Sequence, residues 1–184
     1  MSTVILFTGG ARSGKSARAE HYAARLHRPV TYLATAEARD DEMRERIAHH
    51  QQRRPATWTT CEQPLEVATA LANVAPGTVV VLDCLALLVS NVLLANEAAP
   101  DQAVTAEISA ILEATHAHDL TLIVVTNEVG MGIVPDYPLG RVYRDLLGRA
   151  NQQVAAAATD VYLVVCGIAV ELKALEVAWA RPIE

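Results

Sequence analysis

The 184-residue chain has few aromatic residues: one Phe, two Trp and five Tyr, 4% of the total. Its core must therefore be filled by aliphatic side chains, and much of the 52% apolar content is Ala. That balance favours Ala-rich helices packed on a sheet. Positive charge is scarce as well, since 15 Lys and Arg against 21 Asp and Glu leave a net charge of −6. Proteins that bind polymeric nucleic acid usually carry a basic face, so no nucleic-acid partner is expected. The three cysteines, Cys61, Cys84 and Cys166, are odd in number and lack metal-ligand spacing. They read as reduced thiols of a cytoplasmic protein. No run reaches membrane-spanning length and no signal peptide precedes the first strand, so membrane insertion is not expected. Repeats, linkers and low-complexity segments are missing too. The length suits one α/β domain over residues 1–184.

What is present begins with Gly9-Gly10-Ala11-Arg12-Ser13-Gly14-Lys15-Ser16, a complete G-x-x-x-x-G-K-S phosphate-binding loop. It follows the β-branched run Val4–Thr8 and precedes a helical stretch, Ala17 to Leu26. The glycines let the backbone turn its N–H groups toward phosphate oxygens, and the following helix adds its positive end. Lys15 is placed to reach the β- and γ-phosphates, and the Ser16 hydroxyl to ligate Mg²⁺.

Further along, Val30–Leu33 reads as a second strand, ending at Ala34-Thr35-Ala36. A polar helix is expected from about Asp40 to Arg54, acidic at its start and basic at its end. A short strand at Trp58–Glu62 and a helix over Pro64–Asn73 come next, then a turn at Pro76-Gly77. Thr78–Asp83 is a strong buried strand ending in an acid, followed by a helix over Cys84–Leu94. Asp101 is expected to cap a long helix reaching His116. Thr121–Thr126 is another buried strand, and Gly130, Gly132 and Pro135 mark a loop or hairpin. A helix over Leu139–Ala158 puts Val142, Leu146, Ala150 and Val154 on one face, and Val161–Val165 is the last clear strand. After Gly167 the chain fits an edge strand or a short helix.

Strands that are apolar throughout and alternate with helices imply a mostly parallel sheet covered on both faces. Ligands of such sheets bind outside the carboxyl ends of the strands. The loop, Thr35, Asp83 and Thr126-Asn127-Glu128 should all lie there. Asp83 suits a Mg²⁺ carboxylate, with a helix N-cap as the alternative. A regulatory GTPase is not expected, because no N-K-x-D element exists and no D-x-x-G follows the Asp83 strand.

In the polar helix, Met43, Ile47, His50 and Arg54 share one face, while His49 lies about 100° round. If the apolar side turns toward the body of the protein, His50 points inward. A neutral imidazole there is either a hydrogen-bonded structural group or a nucleophile at phosphorus. Arg53 and Arg54 either hold a pyrophosphate leaving group or form a solvated face.

Three segments together resemble one family: G-G-A-R-S-G-K-S, D-D-E-M-x-x-R-I-x-x-H followed by R-R-P-x-x-W, and T-N-E-V-G-M-G-I-V-P. They are similar to the bifunctional adenosylcobinamide kinase / adenosylcobinamide-phosphate guanylyltransferase family of cobalamin biosynthesis, from Val4 to about Lys173. The resemblance implies a RecA-like P-loop NTPase fold and a homotrimer. It implies two reactions, phosphorylation of adenosylcobinamide by ATP or GTP and transfer of GMP from GTP to the phosphorylated corrinoid. The guanylyl group would pass through a histidine, here His50. Ala34, Thr35, Ala36, Gln51, Gln52, Arg53, Arg54, Glu62 and Asp83 would contact GTP. One bound nucleotide cannot serve both steps in one pose, so either the His50 helix moves or the nucleotide binds in two registers. The rivals are a monofunctional small-molecule P-loop kinase with a structural His50 and a non-catalytic nucleotide-binding module.

Overall fold

The structure, a computed structural model, describes residues 2–37, 45 and 54–177. Within them β1 (Thr3–Thr8) leads into α1 (Lys15–Arg25) and β2 (Val30–Ala34). There follow β3 (Thr59–Glu62), α2 (Val67–Leu71), β4 (Val79–Asp83), α3 (Leu85–Ala95) and α4 (Pro100–Ala117). Last come β5 (Thr121–Val125), α5 (Pro138–Ala157), β6 (Asp160–Val165), β7 (Ile168–Glu171) and α6 (Leu172–Leu175). The strands form one sheet in the order β3-β2-β4-β5-β1-β6-β7. Every neighbouring pair is parallel except β6 with β7.

Burial follows from this order. The central strands β4 and β5 are apolar on both sides, and Val79–Leu82 and Thr121–Val125 are at most 3% exposed. A strand buried on both faces needs helices over both, which is what an unalternating apolar run signals. Ala19 and Ala23 of α1, Leu85, Leu88 and Val89 of α3, and Leu146, Ala150 and Val154 of α5 supply that cover. The sheet is therefore the mostly parallel α/β arrangement that the strand pattern implies, in keeping with the RecA-like P-loop fold that the resemblance implies, with β5 between the loop strand β1 and the Asp83 strand β4. Ser16, beyond β1, and Asp83, at the end of β4, thus belong to strands that are not neighbours. Strand order is set by long-range pairing, which a local pattern does not encode.

Four local expectations are revised. The helix expected over Pro64–Asn73 is confined to Val67–Leu71, because Glu66 adopts the left-handed region at φ 53° and breaks the helical path. The Val67 N–H instead donates to Glu107 Oε1 of α4 at 2.8 Å. Asp101 does not cap α4; Ala99 holds that position and Pro100 opens the helix, which its fixed φ favours. Asp101 Oδ1 accepts from Arg149 Nε of α5 at 2.9 Å. Val142 is 41% exposed, whereas Leu146, Ala150 and Val154 are buried. It sits in the first turns of α5, at the edge where the strands have ended. After Gly167 the chain forms both candidate elements, the antiparallel edge strand β7 and the short α6.

The helix expected over Asp40–Arg54 lies outside the described residues, apart from Glu45 and Arg54. Glu45 is helical and exposed, and Arg54 lies in a bend. His49, His50, Gln51, Gln52 and Arg53 fall outside the described residues.

Candidate active site

The phosphate-binding loop runs from the end of β1 to the start of α1. Gly9 is buried, and a Cβ there would meet the Val164 carbonyl oxygen at 2.4 Å and Ser13 Oγ at 2.9 Å. Only glycine lets the loop pass this close to β6. Gly14 is the N-cap of α1 with φ 95°, a left-handed conformation that glycine adopts without a Cβ penalty. Its missing Cβ also makes room for Gly167, whose Cα would lie 3.3 Å away. The turn after β6 braces the loop: Gly167 N–H donates to the Ser13 carbonyl at 2.8 Å, and Arg18 Nε donates to the Gly167 carbonyl at 2.8 Å. Gly10 is exposed, with open space where its Cβ would be, and Ala11 and Arg12 are exposed beside it.

Inside the loop, Lys15 is buried, and its Nζ donates to the Gly10 carbonyl at 3.1 Å. Ser13 Oγ is buried without a hydrogen-bond partner among the described residues. Buried polar atoms are normally satisfied, so an unsatisfied hydroxyl inside a ring of backbone donors is suited to an oxyanion. Ser16 lies in the first turn of α1, half-buried.

The other sequence-selected residues line up along the same edge. Glu62 pairs with Ala34, Ala34 with Asp83, Asp83 with Val125, and Val125 with Phe7. Five strands thus end level, and all their carboxyl termini face the side on which the loop begins. Thr35 is fully buried there, its hydroxyl donating to the Cys84 carbonyl at 2.7 Å and accepting from the Cys84 N–H at 2.9 Å. This hydroxyl ties the end of β2 to the start of α3. Ala36 is half-buried and Glu62 exposed. Cys84, not Asp83, is the N-cap of α3, so the capping alternative for Asp83 does not hold. Asp83 Oδ2 accepts a hydrogen bond from the Tyr32 hydroxyl. Burial first, and then the Asp83 charge, push the Cys84 thiol up to about 12, so it stays protonated.

After β5 the chain stays close to the loop, with the Glu128 N–H donating to the Gly9 carbonyl at 3.1 Å. Thr126 Oγ1 donates to Asn151 Oδ1 at 2.7 Å, and Asn151 Nδ2 donates to the Asn127 carbonyl at 3.1 Å. Gly130 and Gly132 belong to a loop, not a hairpin; Met131 between them and Ile133 after them are 86% and 97% exposed.

Three residues that sequence reading passed over hold this edge together. Tyr32 reaches Asp83. Asn91 Nδ2 donates to the carbonyls of Thr35 and Pro64, both at 3.0 Å. Asn151 joins Thr126 to Asn127. Asn91 leaves a signal, since an amide in the apolar run of α3 must find partners. Asn151 likewise follows the inward-facing Ala150.

A hard divalent cation fits the oxygen donors available here, a hydroxyl at Ser16 and a carboxylate at Asp83. Among the described residues no group of three His, Cys, Asp or Glu is placed to hold a metal. That donor set suits Mg²⁺, which typically takes few protein ligands and completes its shell with phosphate and water. No helix among the described residues is long and apolar enough to cross a membrane.

Comparison with known proteins extends these observations to most of the chain. Residues 5–172 match the family model described as cobinamide kinase / cobinamide phosphate guanyltransferase. The chain is similar to the bifunctional adenosylcobalamin biosynthesis protein CobU of Escherichia coli K12, 44% identical over 181 residues, covering 92% of this chain and 99% of the relative. CobU of Salmonella typhimurium is 43% identical over 181 residues, with 92% and 99% covered. CobP of Pseudomonas aeruginosa, of the same description, is 42% identical over 169 residues, with 91% and 96% covered. With its phosphate-binding loop, strand order and near-complete match, the chain belongs to the cobinamide kinase / cobinamide phosphate guanyltransferase family.

Proposed function

We propose that this protein phosphorylates adenosylcobinamide with ATP or GTP and then transfers GMP from GTP to the phosphate so formed, giving adenosylcobinamide-GDP. The observation that carries the reading is the phosphate-binding loop at the same sheet edge as Asp83, in a chain of this family. The loop amides, Lys15 and Ser13 suit the triphosphate, and catalysis at such a site is largely positioning and electrostatic stabilisation. Ser16 and Asp83 would hold Mg²⁺. When bound, the ion neutralises phosphate charge. Ala34 at the end of β2, Ala36 just after it and Glu62 at the end of β3 form the flank on which the nucleoside would lie, with Thr35 buried beneath them as support, and Arg54 stands on that flank too.

In the first reaction the corrinoid hydroxyl attacks the γ-phosphorus. Its O–P bond forms, the bond to the nucleoside diphosphate breaks, and the hydroxyl proton is released. In the second, an imidazole nitrogen of His50 attacks the α-phosphorus of GTP and pyrophosphate leaves, with Gln51, Gln52, Arg53 and Arg54 beside it. A phosphate oxygen of the corrinoid then attacks the same phosphorus. The P–N bond breaks and neutral His50 returns after proton exchange. We further propose that residues 1–184 act as one domain, that the protein is a homotrimer, and that it works in the cytoplasm. Cys61, Cys84 and Cys166 as free thiols support that compartment.

The test is to incubate the purified protein with adenosylcobinamide, Mg²⁺ and ATP or GTP, and to follow the corrinoid by mass. Successive appearance of the phosphate and the GDP ester is expected. Arrest at the phosphate would leave a monofunctional kinase, and an unchanged corrinoid with bound nucleotide would leave a binding module.

A further inference from the structure

Tyr32 is 1% exposed in the middle of β2, among aliphatic neighbours. A buried phenol needs a partner for its hydroxyl, and the sheet register provides one. Tyr32 pairs with Val81, and Ala34 pairs with Asp83. Residues opposite one another share a face, as do residues two apart on one strand. Tyr32 and Asp83 are therefore diagonal neighbours on one face, a span that an aromatic side chain bridges. The hydroxyl donates to Asp83 Oδ2. Over the ring lies the Arg54 guanidinium, 3.4 Å from the centroid, well within cation–π range. Arg54 Nη1 also donates to Thr60 Oγ1 of β3 at 3.4 Å, while its Nε is buried without a partner among the described residues. The charge of Glu20 on α1 also acts on the phenol, more weakly than that of Asp83. Burial, and then the Asp83 charge, raise the Tyr32 pKa, so the hydroxyl remains a donor.

Phenylalanine would fill the same space. The hydroxyl therefore answers to Asp83 and not to packing. We propose that Tyr32 is a positioning residue: its hydroxyl fixes the rotation of the Asp83 carboxylate toward the nucleotide-bound cation, and its ring holds Arg54 to the same assembly. This rests on the reading of Asp83 as a metal-side carboxylate. Arg54 immediately follows the segment containing His50, so one side chain links the cation end of the site to the chain that carries the proposed nucleophile.

The test uses the full chain with α,β-methylene-GTP, which cannot give up its α-phosphate to His50, and Mn²⁺ followed by electron paramagnetic resonance. Tyr32→Phe keeps the ring under Arg54 and should retain a cooperative thermal transition and metal-free binding of the analogue. Its Mn²⁺ affinity in the ternary complex should fall on the order of 10-fold, as expected for a lost hydrogen bond to a charged group. Wild-type Mn²⁺ affinity in Tyr32→Phe, with affinity lost in Asp83→Asn, would overturn the positioning role alone. Wild-type affinity in Asp83→Asn would overturn the reading of Asp83, and this proposal with it. Arg54→Met, which leaves β2 intact, gives a second reading. It should weaken Mn²⁺ binding more in the wild-type background than in Tyr32→Phe, where only its own contribution to the nucleotide is lost. Equal effects in both backgrounds would overturn the link.

Discussion

Lys15 Nζ donates to the carbonyl of Gly10 at 3.1 Å, so the lysine closes the loop across its own mouth. The ammonium is thereby held inside the ring of amides, where a triphosphate would replace the carbonyl as its partner. Lys15→Ala removes this charge from a site that acts by electrostatics. Both reactions should fall on the order of 10²-fold or more while the far-ultraviolet circular dichroism is unchanged. Near-normal turnover by the folded variant would contradict the assignment of the loop.

Gly9 has no room for a side chain, because the nearest atom to an added Cβ is a backbone oxygen of β6, at 2.4 Å. Backbone yields less readily than a flexible side chain. Gly9→Ala should therefore lose about 1–3 kcal/mol of stability, the usual cost of overpacking, and bind nucleotide more weakly. Gly10→Ala meets nothing within 4 Å and should cost far less stability. Urea denaturation of the two variants checks the contrast.

Glu107 gives a pH-dependent expectation. Burial raises its pKa, opposed by the hydrogen bond from the Val67 N–H and reinforced by Glu66. A carboxyl whose folded pKa is raised favours the folded state when protonated. That contribution is present in acid and is lost as pH rises through the raised folded value. Above this window the charged form is a burden on folding. Glu107→Gln keeps an acceptor for Val67 and removes the charge. Its melting temperature should exceed wild type at neutral pH, and the advantage should shrink as pH falls below the ordinary glutamate range. A constant difference across that range would contradict the assignment.

The loop and the strand ends were legible in the sequence because both are local. A glycine pattern between a β-branched run and a helix fixes its own geometry, and an acid closing an apolar strand marks the carboxyl edge. Strand order was less accessible: β5 separates β1 from β4, and only pairing between distant segments decides that. The same reason hid Tyr32 and Asn91. Their partners Asp83 and Thr35 are 51 and 56 residues away in sequence, and no periodicity connects them. Asp101 misled for a different reason. Its type suits a cap, but Pro100 is better suited to open the helix, and this shifts the cap to Ala99. The family segments carried what local patterns could not, the expectation that a phosphate loop is paired with a nucleophilic histidine.

The most direct measurement is covalent labelling by GTP carrying radioactive phosphorus at the α-position, followed by denaturation. Wild type should retain the label, lose it in acid and keep it in alkali, as a phosphoramidate does. His50→Ala should take no label yet still bind GTP, because the loop is untouched, and His49→Ala should label as wild type does. Labelling should also decline in acid during the reaction, since a protonated imidazole has no lone pair to attack with. Label retained in His50→Ala and lost in His49→Ala, or no label in the wild type under turnover conditions, would contradict the guanylyl-histidine account.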